Sequence, residues 1–314
     1  MNEKPRFRPR KFAVVGAGPV GNIVAAFLAK GRYKVTLCDV FPELVKPALK
    51  PGILIEGTEE FQVTVSRIVT SVDDLADDPP DVIFLTVKAN AVPLIASAIE
   101  SFYRDGLYVV SWQNGIDTEL VLAQTIGKRA VMRAVVNYGC FLLKPGHVDI
   151  KFHHFPHYIQ ELDRESKPAA IAVANALTKS GLVTDHTDQI DSMVWRKAIM
   201  NACMNPVCAV TGMTMSQVIG DPIMFQIVDA LLKEGVNVAR ANEISLGSDF
   251  YPYSMAYMKH AGDHKPSMLI DIEKKRRTEV DYINGKIIDY GERAGLETPY
   301  NRTMRALVKA LEPK

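Results

Sequence analysis

The chain has 314 residues, a formal net charge of +1 and 47% hydrophobic residues. A chain of this length predicts two domains, because single hydrophobic cores rarely grow so large. The balanced charge excludes a global field that attracts nucleic acid or an anionic membrane surface. Glycine and proline interrupt the longest apolar run, which excludes a membrane span. Four cysteines without metal-ligand spacing favour reduced thiols and a cytoplasmic location.

The first predicted element is a buried strand over residues 11–15, followed by a glycine-rich turn and a helix over residues 22–30. The turn reads Gly16-Ala17-Gly18-Pro19-Val20-Gly21. A GxGxxG motif between a strand and a helix is typical of dinucleotide-binding domains. We expect Gly16 to make the tight turn, Gly18 to let the backbone approach the pyrophosphate, and Gly21 to allow close helix packing. The N-terminus of the helix would then face the phosphates.

The second predicted strand, over residues 34–39, ends in an acidic residue, Asp39, at the spacing from the glycine motif that binds a ribose. Its carboxylate would hydrogen-bond the adenosine ribose and repel a 2'-phosphate. Val40 stands where NADP enzymes often carry arginine. The sequence therefore favours NAD as the cofactor. Two alternatives stay open: Asp39 simply caps the strand, or Arg32 or Lys46 reaches a phosphate.

Strands alternate with helices over the next hundred residues, most clearly at 81–87, 107–112 and 130–137. This alternation predicts an α/β fold with a doubly wound, mostly parallel Rossmann sheet covered by helices on both faces. Lys88 and Asn114 follow two of these strands. Ligands of such sheets bind at the carboxyl ends of the strands, so we expect both residues to meet cofactor or substrate. Each taken alone is as often an ordinary loop residue.

A hairpin over residues 140–152, with a type II turn at Pro145-Gly146, is expected at the edge of the sheet. His153, His154 and His157 follow it. A surface loop is favoured over a metal site, because no carboxylate or cysteine joins them at ligand spacing. No role and no metal is assigned.

A helix over residues 167–180 and a strand over 182–186 complete a dinucleotide-binding domain of residues 1–187. The chain from 188 to 314 is predicted to be all α-helical. Its helices are expected at about 190–204, 222–242, 266–276, 279–293 and 299–311, with proline at several starts and glycine near several ends. A helical domain behind a dinucleotide-binding domain indicates a two-domain dehydrogenase with a small-molecule substrate.

The first of these helices places Lys197, Asn201 and Asn205 along one face. Most of its other residues are apolar, so the helix is expected to be largely buried and its polar groups to need partners. A substrate-binding row is therefore favoured over a solvated stripe. Asn205 is the least secure member, because Asn-Pro can simply mark the end of a helix.

The motifs stand in one order along residues 11–311. They are the glycine motif, Val87-Lys88, Gln113-Asn114-Gly115, Trp195-Arg196-Lys197 with Asn201 and Asn205-Pro206, His264-Lys265-Pro266-Ser267-Met268 with Asp271, and Thr278-Glu279 through Gly285. In that order they resemble the 2-dehydropantoate 2-reductase (ketopantoate reductase) family. The resemblance implies a Rossmann domain, a helical domain of the 6-phosphogluconate-dehydrogenase type, and reduction of 2-dehydropantoate to pantoate.

The resemblance also implies a role for each motif residue. Lys197 resembles the catalytic lysine, and Glu279 the acid that meets the substrate hydroxyl. The remaining implied roles are Lys88 and Asn114 near the nicotinamide, Asn201 and Asn205 as substrate-side amides, and Ser267 as the carboxylate binder. We expect hydride transfer to C2 of a 2-oxo acid, with Lys197 as general acid. For Glu279 the alternative is that Thr278 caps a helix and the acid serves its dipole.

Two features depart from the family pattern. The arginine near position 40 that recognises the NADP phosphate is missing, although the resemblance itself implies NADP. A bulky segment, residues 151–157, replaces a glycine-rich one, so the 2-oxo acid need not be ketopantoate. The alternatives are a related dehydrogenase of another 2-oxo or hydroxy acid or an opine, and a non-catalytic nucleotide sensor. Residues 250–258 are expected to be a contact, as in a homodimer, or a mobile loop over the site.

Overall fold

A computed structural model describes residues 7–259 and 262–314, and these residues form two compact units. The dinucleotide unit runs up to Gln113 and resumes over Thr118–Ile190, and the helical unit comprises Asn114–Asp117 and Asp191–Lys314. Residues 1–6 of the predicted first domain lie outside the described residues. The single boundary after residue 187 stays a prediction. In the structure the second unit begins after Ile190. It also contains four residues from the middle of the chain, Asn114–Asp117, which the sequence did not indicate.

The dinucleotide unit contains two β-sheets. In chain order the strands are β1 Lys11–Val15, β2 Lys34–Cys38, β3 Ile53–Gly57, β4 Phe61–Val63, β5 Arg67–Val69, β6 Val82–Leu85, β7 Tyr108–Ser111, β8 Val131–Val135, β9 Tyr138–Lys144, β10 His147–His153, β11 His157–Glu161 and β12 Thr184–His186. The large sheet has the order β12-β11-β8-β7-β6-β1-β2-β5 and is parallel except where β11 meets β8. This order confirms the predicted Rossmann fold.

Helices cover both faces of the large sheet. They are α1 Pro19–Lys30, α2 Pro42–Leu49, α3 Val92–Glu100, α4 Thr118–Ile126 and α5 Lys167–Lys179. Successive side chains of β1 point to opposite faces, so Phe12 and Val14 belong to one buried core and Ala13 and Val15 to another. The first core contains residues of α1 and α5, and the second contains residues of α3 and α4. The sheet is thus doubly wound.

The predicted hairpin exists but lies in a different place. β9 and β10 pair antiparallel, and β10 then pairs in parallel with β3 to give a second sheet of order β4-β3-β10-β9. The expectation that the hairpin extends the edge of the large sheet was wrong. Val148 and Ile150 are fully buried in the core that contains α1, and this burial fixes the hairpin there. The pairing with β3 joins distant parts of the chain, which local sequence patterns do not reveal.

The prediction of a surface loop for the three histidines was wrong for His157. This residue begins β11, is fully buried, and accepts a hydrogen bond at Nδ1 from the backbone N–H of Asn137 at 3.0 Å. The Nε2 atoms of His153 and His157 are 2.9 Å apart. His154 is exposed. His157 is therefore a buried strand residue with contacts at both ring nitrogens and does not belong to a surface loop.

The helical unit contains seven helices among its described residues. They are α6 Ile190–Thr211, α7 Met215–Gly220, α8 Pro222–Ala241, α9 Phe250–Lys259, α10 Ser267–Glu273, α11 Asn284–Arg293 and α12 Pro299–Leu311. Within residues 7–259 and 262–314, no helix is long and apolar enough to span a membrane. The segment 250–258, expected as a contact or a mobile loop, lies entirely within helix α9.

Helix α6 continues past the proline at which it was expected to end. Pro206 has no N–H, so it cannot donate to the carbonyl of Ala202 one turn earlier. The side-chain Nδ2 of Asn284, at the start of α11, donates to that carbonyl at 3.0 Å instead. Asn284 is fully buried, and it also donates to Oδ1 of Asn301 at 2.9 Å. A tertiary hydrogen bond therefore replaces the one that proline removes.

The helix predicted over residues 279–293 begins only at Asn284. The preceding residues form turns, in which Tyr282 N–H and Ile283 N–H donate to the carbonyl of Glu279 at 3.0 and 3.1 Å. The hydroxyl of Thr278 accepts from Val280 N–H at 3.2 Å. Glu279 is thus placed in a turn before α11. A helix that begins at Thr278, as the alternative required, is not observed.

Candidate active site

The glycine loop has the geometry of a phosphate cradle. Gly16 has a φ of 108° and donates from its N–H to the carbonyl of Cys38 at 2.8 Å. A Cβ on Gly21 would overlap the carbonyl oxygen of Gly16, whereas no described atom lies within 4 Å of a Cβ built on Gly18. Gly18 also precedes α1, and no described side chain caps that helix. The space beside Gly18 and the helix N-terminus fit a pyrophosphate.

Asp39 fixes the loop from the end of β2. Its Oδ2 accepts a hydrogen bond from Ala17 N–H at 2.7 Å, and its Oδ1 accepts from Phe41 N–H at 3.1 Å. The carboxylate therefore lies directly against the glycine motif and is partly exposed. Strand capping and ribose binding are compatible here, because each oxygen has a second lone pair.

Lys88 stands next to the glycine loop through the segment that follows β6. A Cβ on Gly16 would lie 2.8 Å from the backbone nitrogen of Val87, so the two segments are in close contact. Thr86 donates from its hydroxyl to the carbonyl oxygens of Val15 and Gly16 at 3.0 and 2.8 Å. Lys88 itself is half-buried. Thr86 was not among the predicted site residues, although its position two residues before Lys88, at the end of a strand, was the signal.

A buried polar network in the dinucleotide unit fixes the residues on both sides of the segment that carries Asn114. Ser111 donates from its hydroxyl to Oε1 of Gln113 at 2.7 Å. Arg133 on β8 donates from Nη1 to the hydroxyls of Ser111 and Thr118 at 3.1 and 2.5 Å. Gln113 and Thr118 directly flank the four residues that belong to the helical unit. Both points where the chain changes unit are therefore fixed by buried hydrogen bonds, which are costly to break.

The helical unit carries the other predicted site residues. Lys197 and Asn201 on α6 are half-buried, and Asn205, one turn further on, is buried. Ser267 is exposed at the first position of α10, and Glu279 is 8% exposed in its turn. Asn114 belongs to the same unit. The structure thus places the proposed substrate groups on the helical unit, and the glycine loop, Asp39 and Lys88 on the dinucleotide unit.

One group of described residues has the composition of a metal site. Glu161, His186 and Asp188 offer ligand atoms within 4.8 Å of one another. His186 Nε2 is 2.7 Å from a Glu161 oxygen, and Lys167 Nζ is 2.9 Å from Asp188. The lysine supplies positive charge where a cation would otherwise be needed, so we assign no metal there.

A glycine loop that leaves room for a pyrophosphate, an acidic residue at the end of β2 and an all-helical second unit define a dinucleotide-binding oxidoreductase. Two sequence models of one family match the chain. "Ketopantoate reductase PanE/ApbA" matches residues 12–164, and "Ketopantoate reductase PanE/ApbA C terminal" matches residues 189–312. The chain belongs to the ketopantoate reductase family and is an NAD(P)-dependent oxidoreductase.

Relatives with known names agree over nearly the whole chain. The 2-dehydropantoate 2-reductase of Archaeoglobus fulgidus is 30% identical over 97% of this chain and 99% of its own length. That of Pyrococcus horikoshii is 29% identical over 96% of this chain and 97% of its own. Among solved structures, D-mandelate dehydrogenase with NADH and anilino(oxo)acetate is 27% identical, with a TM-score of 0.86 over 96% of this chain and 97% of that one. A ketopantoate reductase from Ralstonia eutropha JMP134, 24% identical with a TM-score of 0.85 over 96% of this chain and 98% of that one, shares the fold.

Proposed function

We propose that the protein reduces a 2-oxo acid to the corresponding 2-hydroxy acid, with 2-dehydropantoate as the first candidate substrate and pantoate as its product. The observation that carries this proposal is that all the proposed substrate groups, Lys197 among them, belong to one unit. A bound nicotinamide supplies the hydride that C2 receives. The chain itself must bind the carboxylate, orient the carbonyl and deliver a proton to its oxygen.

Lys197 is the proposed general acid. Its ammonium donates a hydrogen bond to the substrate carbonyl oxygen and transfers a proton to it as negative charge develops there. The half-buried position on α6 supports this role, because partial removal from water strengthens the interaction with a developing alkoxide. Asn201, on the same helix, and Asn114 are proposed as additional donors to the substrate or the nicotinamide amide. Asn205 is proposed only as a more distant member of the row.

Ser267 and Glu279 are proposed to orient the rest of the substrate. A serine at the first position of α10 offers a hydroxyl and a backbone N–H to a carboxylate. Glu279 is 8% exposed, and an acidic side chain at that depth suits a hydrogen bond from a substrate hydroxyl. 2-Dehydropantoate carries such a hydroxyl on its side chain, which favours it over unsubstituted 2-oxo acids.

NAD is the proposed cofactor. The Asp39 carboxylate lies at the end of β2 and accepts hydrogen bonds from the glycine loop and from Phe41 N–H. A 2'-phosphate at that point would meet a negative charge, whereas ribose hydroxyls would donate to it. Asp39→Asn keeps one oxygen acceptor and removes the charge, so it should lower the preference for NADH over NADPH. A wild-type preference for NADPH would contradict the argument.

A second candidate is an aryl 2-oxo acid such as phenylglyoxylate, the oxo acid that corresponds to mandelate. It is favoured by the likeness to D-mandelate dehydrogenase, with a TM-score of 0.86. Its side chain has no hydroxyl for Glu279. The two candidates therefore make opposite predictions for that residue.

The experiment is steady-state kinetics with both 2-oxo acids and NADH for the wild type and three variants. Lys197→Met should lower kcat by about 100-fold or more with either substrate. Glu279→Gln should raise the KM for 2-dehydropantoate and leave that for phenylglyoxylate unchanged if the first candidate is right. Lys233→Met, which removes an exposed lysine of α8 in the same unit, is the matched control.

Full turnover by Lys197→Met would eliminate the proposed general acid. Turnover of phenylglyoxylate alone would replace the first candidate by the second, and reduction of neither acid would favour a dehydrogenase of another 2-oxo or hydroxy acid or an opine. A homodimer and a cytoplasmic location stay predictions from the sequence.

A further inference from the structure

The four residues Asn114–Asp117, which belong to the helical unit although the dinucleotide unit flanks them in the chain, are held in the helical unit by the side chain of Asp117. Asp117 has a φ of 64°, a left-handed backbone conformation that is uncommon for residues other than glycine. Its Oδ2 accepts a hydrogen bond from Lys286 Nζ at 3.0 Å, and its Oδ1 accepts from the Tyr290 hydroxyl at 3.0 Å. Both partners lie on α11, one helical turn apart. We call these three residues the Asp117 clamp.

The clamp is sheltered from solvent. The side chains of Lys286 and Asp117 are 23% and 13% exposed, so both members of this ion pair are largely shielded from solvent. Ion pairs at such depth have a stronger electrostatic attraction than surface pairs, because solvent screens their charges less. Strained backbone held by a half-buried ion pair is a feature that surrounding structure must impose, and such strain is concentrated at functional sites.

Backbone hydrogen bonds next to the clamp connect the segment that carries Asn114 to the turn that carries Glu279. Ile116 N–H donates to the carbonyl of Tyr282 at 2.9 Å, and Tyr282 N–H donates to the carbonyl of Glu279 at 3.0 Å. Gly115, with a φ of 103°, approaches so closely that a Cβ there would lie 3.0 Å from the Tyr282 carbonyl oxygen. Two successive backbone hydrogen bonds therefore link Ile116, two residues after Asn114, to Glu279.

The clamp also reaches the helix of the proposed general acid. The ring of Tyr290 packs edge-on against Trp195 of α6, with the ring centroids 5.0 Å apart. Trp195 stands two residues before Lys197 in the sequence. One tyrosine therefore contacts Asp117 through its hydroxyl and the general-acid helix through its ring.

We propose that Asp117 is a positioning residue that fixes Asn114 relative to Glu279 and Lys197. In this role the four-residue segment keeps a fixed position within the helical unit, so the substrate groups of that unit keep their mutual geometry. Asp117 itself touches none of the reacting atoms. The inference rests on the proposed function for its catalytic consequence, but the clamp has a readout of its own.

The test compares Asp117→Asn with a chemically matched variant elsewhere in the helical unit. Asp229 on α8 also pairs with a lysine, Lys233 at 2.7 Å, and accepts a hydrogen bond from the Tyr251 hydroxyl. Asp229→Asn therefore removes the same charge from the same kind of trio. Asp117→Asn should lower kcat roughly 10- to 100-fold, because small displacements of aligned groups have effects of that size. NADH affinity should not change in either variant, and Asp229→Asn should retain wild-type kcat.

Hydrogen exchange at the Ile116 amide supplies the readout that does not depend on turnover. Asp117→Asn should accelerate that exchange by about tenfold or more, whereas Asp229→Asn should leave it unchanged. Lys286→Arg keeps the ion pair and should behave as the wild type in both assays. Tyr290→Phe, which keeps both charges, serves if Asp117→Asn does not fold, and should accelerate the exchange to a smaller extent.

The outcomes separate the two proposals. Accelerated exchange without any 2-oxo acid reduction by the wild type would support the clamp and refute the proposed function. Wild-type exchange and wild-type kcat in Asp117→Asn would overturn the clamp. Equal losses of kcat in Asp117→Asn and Asp229→Asn would also overturn it, because both would then reflect general destabilisation.

Discussion

Gly18→Ala is expected to weaken cofactor binding without changing stability, whereas Gly21→Ala is expected to lower the stability of the fold. A methyl group on Gly18 points into open space, where no described atom lies within 4 Å. A methyl group on Gly21 would overlap the Gly16 carbonyl oxygen and lie 2.6 Å from the Thr86 hydroxyl. The first change fills the proposed pyrophosphate position, and the second disrupts the folded loop itself.

The magnitudes follow from these two environments. Gly18 has a φ of −68°, which alanine adopts without strain. Alanine at a helix N-cap costs about 0.5–1 kcal/mol relative to glycine, and the stiffer unfolded chain offsets about the same amount, so stability should hardly change. Displacing the pyrophosphate from backbone N–H groups should cost about 3 kcal/mol, or roughly 100-fold in Kd. Gly21→Ala should lower stability by about 3 kcal/mol or more through overpacking.

Titration with NADH and thermal unfolding without cofactor measure the two effects separately. Gly18→Ala should show a weakened Kd and a wild-type Tm, and Gly21→Ala a Tm lowered by about 6–12 °C. Wild-type NADH affinity in Gly18→Ala would refute the placement of the pyrophosphate. A large loss of Tm in Gly18→Ala would refute the open space on which the argument depends.

Two further predictions concern stability. Asn284→Leu should lower the free energy of unfolding, measured with urea, by about 2–4 kcal/mol, because it leaves the Ala202 carbonyl without its donor. In a Pro206→Ala background the new N–H at position 206 can donate to that carbonyl, so the same substitution should lower the free energy of unfolding by about 1 kcal/mol less. Equal losses in the two backgrounds would contradict this account. Burial lowers the pKa of His153 from its ordinary 6.5, so the unfolded chain binds more protons and stability, complete above about pH 6.5, should fall as the pH drops below it. His153→Phe should flatten this acid slope of the urea midpoint, and an unaltered slope would rule out the histidine as its cause.

The sequence predicted the elements whose signals are local. The glycine motif between a strand and a helix, the alternation of strands and helices, and the polar row of α6 each depend on spacings within one or two elements, and the fold confirms the elements themselves. The hairpin of β9 and β10 was also predicted, but not its partner β3. Strand pairing across about a hundred residues has no local pattern, because the large sheet and the second sheet satisfy the same alternation.

By itself, the sequence determined a Rossmann unit followed by helices, a nicotinamide cofactor, and the residue types available for reducing a 2-oxo acid. Only the tertiary structure decided that α6 runs through Pro206, because the donor that replaces the missing N–H comes from Asn284 on another helix. Only the structure assigned Asn114 to the helical unit, because Asp117 is far in the chain from Lys286 and Tyr290 and meets them only after folding. Periodicity reports what one element buries, and it does not report which distant side chain completes that element's hydrogen bonds.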